Sequence, residues 1–111
     1  MNRLRKIDIS IIITVYNYGL YIEECINSCL LQCETSLRYE VIVVDDGSTD
    51  ETSLILGKLT NKLLRKFRIE NSGIESASNF GFSKARGKYI VRVDADDKLL
   101  PNYLHCMHPL P

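Results

Sequence analysis

The sequence has no excess of charge of either sign, since 14 lysine and arginine residues balance 14 aspartate and glutamate residues. This balance removes any global electrostatic argument for a nucleic-acid partner. No apolar run reaches the ~20 residues that a membrane-spanning helix needs. No small-residue cleavage site follows the basic start at residues 1–6. We therefore predict a cytoplasmic protein, with peripheral contact between its basic start and the anionic inner face of a membrane as an open alternative.

Several catalytic and ligand-binding signatures are also missing. Neither glycine-rich phosphate loop, Gly-x-x-x-x-Gly-Lys-Ser/Thr or Gly-x-Gly-x-x-Gly, occurs in the chain. No Ser-His-Asp or Cys-His set with a defensible geometry is present either. Cys25, Cys29 and Cys33 recur every four residues, but they and Cys106 form no Cys-x-x-Cys pair. We expect these cysteines to be small core residues rather than metal ligands or disulfides.

The apolar pattern alternates between two periods along the chain. Short β-branched runs, typical of strands buried on both faces of a parallel sheet, alternate with segments whose apolar residues recur every three or four positions, as in amphipathic helices. The predicted strands are 7–15, 39–44, 67–70 and 90–93, and the predicted helices are 20–32, one opened by Ser48 and one from 72 to 85. This order predicts an α/β fold with a doubly wound, mainly parallel sheet and flanking helices. At 111 residues the chain is long enough for one domain.

Local residues refine the predicted helices. The segments 48–51 and 72–75 each have the Ser-x-x-Glu pattern of a capping box, which predicts that the serine hydroxyl caps the helix. Ala77, Gly81 and Ala85 form a stripe of small side chains that lets the last helix lie close to the sheet. Gly87 follows this helix and is predicted to end it in the left-handed conformation.

Carboxylates gather where the last predicted strand ends, in the sequence Val-Asp-Ala-Asp-Asp. Side chains alternate faces along a strand, so Asp94 and Asp96 are expected to point the same way, about 6–7 Å apart. Both could then reach one hard cation such as Mg²⁺ or Mn²⁺. Asp97 is expected on the other face or in the turn and is held in reserve. The alternative is an acidic turn that ends in solvent.

Polar residues also follow the first two predicted strands, and the carboxyl ends of parallel strands share one edge. Thr14 and Tyr16 follow the first strand, and Asp45 and Asp46 follow the second. A carboxylate at this position can accept hydrogen bonds from a base or a ribose, or it can simply make the turn. Tyr16 can stack on a base or pack under its loop. With no glycine loop present, a metal held by the Asp94 and Asp96 pair is the candidate anchor for phosphate.

Five segments together resemble the N-terminal, nucleotide-sugar-binding half of the family 2 glycosyltransferases, which have the GT-A fold. They are ISIIITVYN (9–17), VVDDGSTD (43–50), NSGIESASN (71–79), ARGKYI (85–90) and DADD (94–97). Their order and spacing cover nearly the whole chain from residue 9 to about residue 104. The resemblance implies an enzyme that transfers a sugar from a nucleotide-sugar donor, usually a UDP-sugar, with inversion. The acceptor would be a saccharide or lipid-linked molecule in surface polysaccharide or glycolipid synthesis.

The resemblance also implies roles for particular residues. Thr14 and Tyr16 match residues that hold the base, and Asp46 matches the carboxylate that binds the uracil edge, with Asp45 beside it as support. The Asp-x-Asp motif is matched by Asp94 on the ribose side and Asp96 as the ligand of Mn²⁺ or Mg²⁺. Asn79 closes the third matching segment and is counted with the nucleotide-binding residues.

Two departures and one missing part qualify the resemblance. Ser78 stands where the family commonly has arginine, and Thr14 stands where proline is frequent. The general base that would deprotonate the acceptor is expected beyond Pro111. We therefore expect residues 1–111 to form a single domain that is the donor-binding half only, without the acceptor half. The alternative is a truncated, non-catalytic remnant that acts at most as a nucleotide-binding or interaction fragment.

Overall fold

The computed structural model describes residues 6–32 and 35–104. Strands and helices alternate in the order β1 (Ile9–Val15), α1 (Gly19–Leu30), β2 (Tyr39–Asp45), α2 (Thr52–Lys58), β3 (Leu64–Arg68), α3 (Ile74–Lys84) and β4 (Tyr89–Asp94). The four strands form one parallel sheet in the order β3-β2-β1-β4. Helices cover both faces, so the predicted doubly wound α/β fold is confirmed.

The two central strands are buried on both faces, which explains their continuous β-branched sequences. Every residue of β1 and β2 is buried. One face of the sheet packs against α1 and α2 through a large cluster that includes Ile11, Ile22 and Leu56. The other face packs against α3 through a smaller cluster that includes Ile12 and Ala77. Alternating residues of one strand therefore serve two separate cores.

Helix α3 lies close to the sheet because its inner side chains are small. A Cβ atom at Gly81 would lie 2.6 Å from Cγ2 of Ile12, so any larger residue would push the helix away. Ala77 is fully buried against the same strand. The predicted close approach is confirmed for these two residues, whereas Ala85 lies just past the end of the helix.

The strand order creates a switch point. The chain moves from β1 to β2 to β3 in one direction and then returns to place β4 on the other side of β1. In such sheets ligands bind beyond the carboxyl ends of the strands, where the order reverses. The carboxyl edge is formed by Val15, Asp45, Arg68 and Asp94, and the amino edge by Ile9, Tyr39, Leu64 and Tyr89.

Both predicted capping boxes are wrong. Helix α2 begins at Thr52, whose N–H donates to Oδ1 of Asp50 at 2.9 Å. The residues directly before α2 and α3, Glu51 and Gly73, make no side-chain capping hydrogen bond. Ser48 and Ser72 lie in loops at the carboxyl edge, where they contact other segments of that edge. The helices start later than predicted because these loop contacts take the groups that capping would have used.

Gly87 is required for space rather than for backbone conformation, so its predicted left-handed cap is wrong. Among the described glycines, Gly47 and Gly73 have positive φ and Gly87 does not. A Cβ atom at Gly87 would lie 2.5 Å from the backbone nitrogen of Ser10.

Strand β3 also begins three residues before the predicted start, since α2 ends at Lys58 and leaves a short connection.

The prediction of core cysteines is confirmed for Cys25 and Cys29, which are free and fully buried. Cys33 and Cys106 lie outside the described residues, as do residues 1–5 of the basic start. Within the described ranges, no helix has the length and apolar character that crossing a membrane requires.

Candidate functional site

A cavity of about 540 Å³ opens at the carboxyl edge, beside the switch point between β1 and β4. It is lined by Thr14, Val15, Tyr16, Tyr18, Asp46, Asn71, Gly73, Ile74, Ala77, Arg92, Asp94, Ala95 and Asp96. Five of the seven residues predicted from the sequence as the binding site are therefore brought together. The other two, Asp45 and Asn79, do not line this cavity.

Asp46 lies at the back of the cavity and is held by the segment that precedes α3. Its Oδ1 accepts the N–H of Ser72 at 2.9 Å, and its Oδ2 accepts the N–H of Gly73 at 3.0 Å. The side-chain amide of Asn71 donates to the Asp46 carbonyl at 3.0 Å. Gly73 has φ +99°, a conformation that glycine adopts without strain. These bonds fix the direction of a carboxylate that is 4% exposed.

The loops that follow β1 and β2 are tied together by Asn17, which has a positive φ of 57°. Its Oδ1 accepts the N–H of Thr49 at 2.7 Å and that of Asp50 at 3.2 Å. Its own N–H donates to Oγ of Ser48 at 3.0 Å. Because Asn17 lies between Tyr16 and Tyr18, this network sets where both tyrosines leave the sheet.

Asp45 and Asp46 are adjacent, yet they point to opposite faces because side chains alternate along a strand. Asp45 faces α2, where Oδ2 accepts the hydroxyl of Ser53 at 2.6 Å and pairs with Nη1 of Arg68 at 2.9 Å. Its Oδ1 accepts the N–H of Ser48 at 2.9 Å. Burial raises the pKa of Asp45, but the bonds from Ser53 and Ser48 and the charge of Arg68 outweigh it and lower the pKa. Asp45 thus holds the loop behind the cavity.

Three carboxylates gather at the end of β4. One oxygen of each of Asp94, Asp96 and Asp97 lies within 4.8 Å of the others, and all three residues are exposed. The expected strand alternation does not place Asp96, because β4 ends at Asp94 and a turn follows. In this turn the N–H of Asp97 donates to the carbonyl of Asp94 at 3.0 Å. The turn also brings Asp97 into the cluster. Hard oxygen donors in this number suit Mg²⁺ or Mn²⁺.

The mouth of the cavity carries half-exposed aromatic side chains. Tyr16 is 44% exposed and Tyr18 is 45% exposed, and Tyr18 packs at a tilt against Tyr21 with ring centroids 6.1 Å apart. Thr14 is nearly buried on the floor. Tyr16 is thus half-exposed and lines the cavity.

Asn79 and Ser78 lie further along α3, away from the mouth. Ala77, Ser78 and Gly81 face the sheet, whereas Asn79 is exposed on the opposite side of the helix. The hydroxyl of Ser78 is buried and has no hydrogen-bond partner among the described residues. Neither side chain lines the cavity.

Sequence reasoning missed eight of the thirteen residues that line the cavity, among them Asn71, Gly73 and Arg92. Asn71 and Gly73 follow β3, so the rule that strands end at a common edge, applied to this strand as well, points to them. Arg92 lies two residues before Asp94 and shares its face of β4. Its Nη2 lies 3.6 Å from Oδ1 of Asp94, and the same alternation that grouped the carboxylates indicates this neighbour.

Comparison with known sequences gives one family. The sequence model of the family described as "Glycosyl transferase family 2" matches residues 10–107. Over 96 residues the chain is 43% identical to a chondroitin synthase of Pasteurella multocida, covering 85% of this chain and 10% of the relative. Over 103 residues it is 37% identical to glycosyltransferase GlyG of Streptococcus pneumoniae, covering 90% of this chain and 34% of the relative. The chain thus spans about a tenth to a third of the length of these relatives.

Comparison with solved structures agrees with the sequence comparison. S. aureus TarS 1–349 in complex with UDP matches with a TM-score of 0.80 at 34% identity, over 89% of this chain and 30% of that one. The same protein in complex with UDP-GlcNAc matches with a TM-score of 0.77 at 37% identity, over 86% and 28%. Mannosyltransferase PcManGT from Pyrobaculum calidifontis, in complex with GDP-Man and Mn²⁺, matches with a TM-score of 0.71 at 29% identity, over 82% and 28%.

Proposed function

The chain belongs to glycosyl transferase family 2 and has the GT-A type of fold, and from this premise we propose that it binds a UDP-sugar as the donor half of an inverting transferase. The acceptor is a saccharide or a lipid-linked molecule in surface polysaccharide or glycolipid synthesis. A cytoplasmic location, with peripheral contact at the inner membrane face, belongs to the same proposal. The general base for the acceptor is expected outside residues 1–111.

The observation that carries the proposal is the convergence of Thr14, Tyr16, Asp46, Asp94 and Asp96 on one cavity at the switch point. These residues come from the ends of three strands that are far apart in sequence. Asp46 follows β2 and Asp94 ends β4, on opposite sides of β1, and this separation fits a ligand that has a base at one end and a diphosphate at the other.

The base end of the cavity fits a base that presents a ring N–H, as uracil does. Each Asp46 oxygen already accepts one backbone N–H, and a carboxylate oxygen has room for a further hydrogen bond. The remaining capacity suits the imide N–H of uracil, because an acceptor-only group pairs with a donor. We propose that the half-exposed ring of Tyr16, which also lines the cavity, stacks on the same base; base–aromatic stacking contributes about 1–3 kcal/mol.

The carboxylate end of the cavity supports a divalent cation. Asp94 and Asp96, with Asp97 beside them, would hold Mn²⁺ or Mg²⁺, since their oxygens lie close enough to share one ion. A bound cation would offset the negative charge that grows on the diphosphate leaving group. PcManGT, a structural neighbour, is in complex with Mn²⁺. Asp45 contributes indirectly, through the loop behind Asp46, and the role of Asn79 stays a prediction.

Isothermal titration calorimetry with UDP, in the presence and absence of Mn²⁺, tests the proposal. We expect binding that is strengthened by Mn²⁺, and Asp96→Ala should remove most of the metal-dependent part because it removes one of the proposed ligands. Glu23→Ala, which removes an exposed carboxylate on α1, is the matched control and should bind as the unchanged protein does. GDP is titrated in the same way, so that its affinity can be compared with that of UDP.

Two outcomes would contradict the proposal. Binding of UDP that is independent of metal and unaffected by Asp96→Ala would show that the carboxylates do not take part in binding the donor. Self-association that does not respond to UDP in size-exclusion chromatography would favour the alternative of a non-catalytic interaction fragment.

A further inference from the structure

We infer that Arg92 couples the binding of the divalent cation to the binding of the donor diphosphate. Without donor the guanidinium pairs with Asp94 and competes with the cation for that carboxylate. When a diphosphate is bound, the guanidinium turns to its oxygens and leaves Asp94 to the cation. The inference deepens the proposed function and rests on it.

Arg92 brings a positively charged side chain to the cavity. Of the described residues that line the cavity, Arg92 alone carries a positive charge, whereas three, Asp46, Asp94 and Asp96, are acidic. The α3 side of the cavity contributes Ile74 and other uncharged residues. A dianionic diphosphate that enters an acidic cavity needs compensating charge, and this side chain is the protein group that can supply it.

The contact between Arg92 and Asp94 is of a kind that exchanges easily. The two groups approach to 3.6 Å, and their side chains are 45% and 56% exposed. Charge-assisted hydrogen bonds are shorter, at about 2.7–2.9 Å, and exposed ion pairs contribute little to stability. The guanidinium is therefore biased toward Asp94 but is not locked there.

The exchange follows from the preferences of the groups. Arginine presents a planar fork that matches phosphate oxygens in pairs, so a diphosphate is a better partner than a single carboxylate at 3.6 Å. Moving the guanidinium from Asp94 to the diphosphate frees that carboxylate to bind the cation. Each ligand then strengthens the binding of the other, and thermodynamic linkage requires the two effects to be equal.

Calorimetry on the full chain and its variants tests the coupling, with Mn²⁺ alone, UDP alone and UDP with saturating Mn²⁺. For Arg92→Gln we expect the affinity for Mn²⁺ alone to rise about two- to fivefold, the scale of an exposed ion pair. The affinity for UDP with Mn²⁺ should fall about tenfold, the scale of a lost charged hydrogen bond. The affinity for uridine, which has no diphosphate, should not change.

Two further variants separate coupling from a structural effect. Arg92→Lys keeps the charge but loses the fork, so it should lie between the unchanged protein and Arg92→Gln. Arg86→Gln is the matched control, because Arg86 also lies 3.6 Å from a carboxylate, that of Glu40, near the amino edge. It should leave the ratio of UDP affinities with and without Mn²⁺ unchanged, even if it lowers the melting temperature.

The inference is overturned if Arg92→Gln and Arg92→Lys both leave the ratio of the UDP affinity with Mn²⁺ to the UDP affinity without Mn²⁺ as it is in the unchanged protein. It is also overturned if either variant weakens the binding of Mn²⁺ alone, since a structural role would act in that direction. Failure of the unchanged protein to bind UDP would overturn the proposed function together with the inference. UDP binding that is strengthened by Mn²⁺ equally in all variants would overturn the inference alone.

Discussion

Glu40, near the start of β2, and Asp46, which directly follows the end of β2, are two buried carboxylates, each 4% exposed. Both lie on the sheet face that carries α3, since they are six positions apart and side chains alternate. Glu40 accepts the hydroxyl of Ser10 at 2.6 Å and the N–H of Arg86 at 2.8 Å, and it pairs with Nη1 of Arg65 at 3.1 Å. Asp46 is held at the other end of α3 by backbone N–H groups and lines the cavity.

The difference lies in how the two charges are balanced. Burial raises the pKa of Glu40, but the bonds from Ser10, Arg86 and Arg65 and the charge of Arg65 outweigh it and lower the pKa. Among the described residues, no ion pair within 4.0 Å is recorded for Asp46. The amino end of the sheet is thus closed by a neutralised network that stabilises the fold. At the carboxyl end, Asp45 is paired with Arg68, whereas the charge of Asp46 has no such partner among the described residues, and the proposed ligand would supply one.

Removing the closed network should have the largest effect. For Glu40→Ala we expect the free energy of unfolding to fall by about 3 kcal/mol, because Arg65 loses its partner and the buried hydroxyl of Ser10 and the N–H of Arg86 lose their acceptor. Urea denaturation measures this fall. Glu23→Ala is the exposed control and should change little. A fall below about 1 kcal/mol would mean that the amino end is not the stabilising end.

Asp46→Asn should have an intermediate effect. The amide nitrogen of asparagine would face the N–H of Ser72 or of Gly73 and leave that donor unpaired, at a cost of about 1–2 kcal/mol. The variant should also weaken UDP binding more than Asp97→Asn does. The melting temperature measures the loss of stability, and calorimetry measures the loss of UDP affinity. Equal UDP affinities for the two variants would show that Asp46 does not bind the base.

Asp96→Asn should have the smallest effect on stability and the opposite sign. Without divalent cations, removing one of three like charges within 4.8 Å should raise the free energy of unfolding by up to about 0.5 kcal/mol. With Mg²⁺ or Mn²⁺ added, the unchanged protein should gain stability and the variant should gain less. Thermal unfolding with and without the cation measures this, and identical shifts for both proteins would speak against a shared ion.

The sequence predicted the architecture well because that prediction depends on local patterns. The β-branched runs of β1 and β2 and the three- and four-residue spacing in α1 each report their own element. The helix starts were wrong because Ser48 and Ser72 have loop partners from other segments. A capping box is a local pattern, and it cannot show that a distant group competes for the same contact.

Part of the candidate site was predictable for the same reason. Strand ends in a parallel sheet meet at one edge, so Thr14, Asp46 and Asp94 could be grouped without a structure. The same rules indicate where Asn71 and Arg92 lie, but they do not give the contacts of these residues with Asp46 and Asp94.

By itself, the sequence determined the alternation of strands and helices, the sheet class and the edge at which the acidic residues gather. These follow from side-chain periodicity, which is a property of each segment alone. The tertiary structure decided that Asp45 turns to Arg68 and away from the cavity, that a turn adds Asp97 to the carboxylates, and that Arg92 stands beside them. The physical reason is that strand order and turn geometry, rather than periodicity, determine which distant side chains meet.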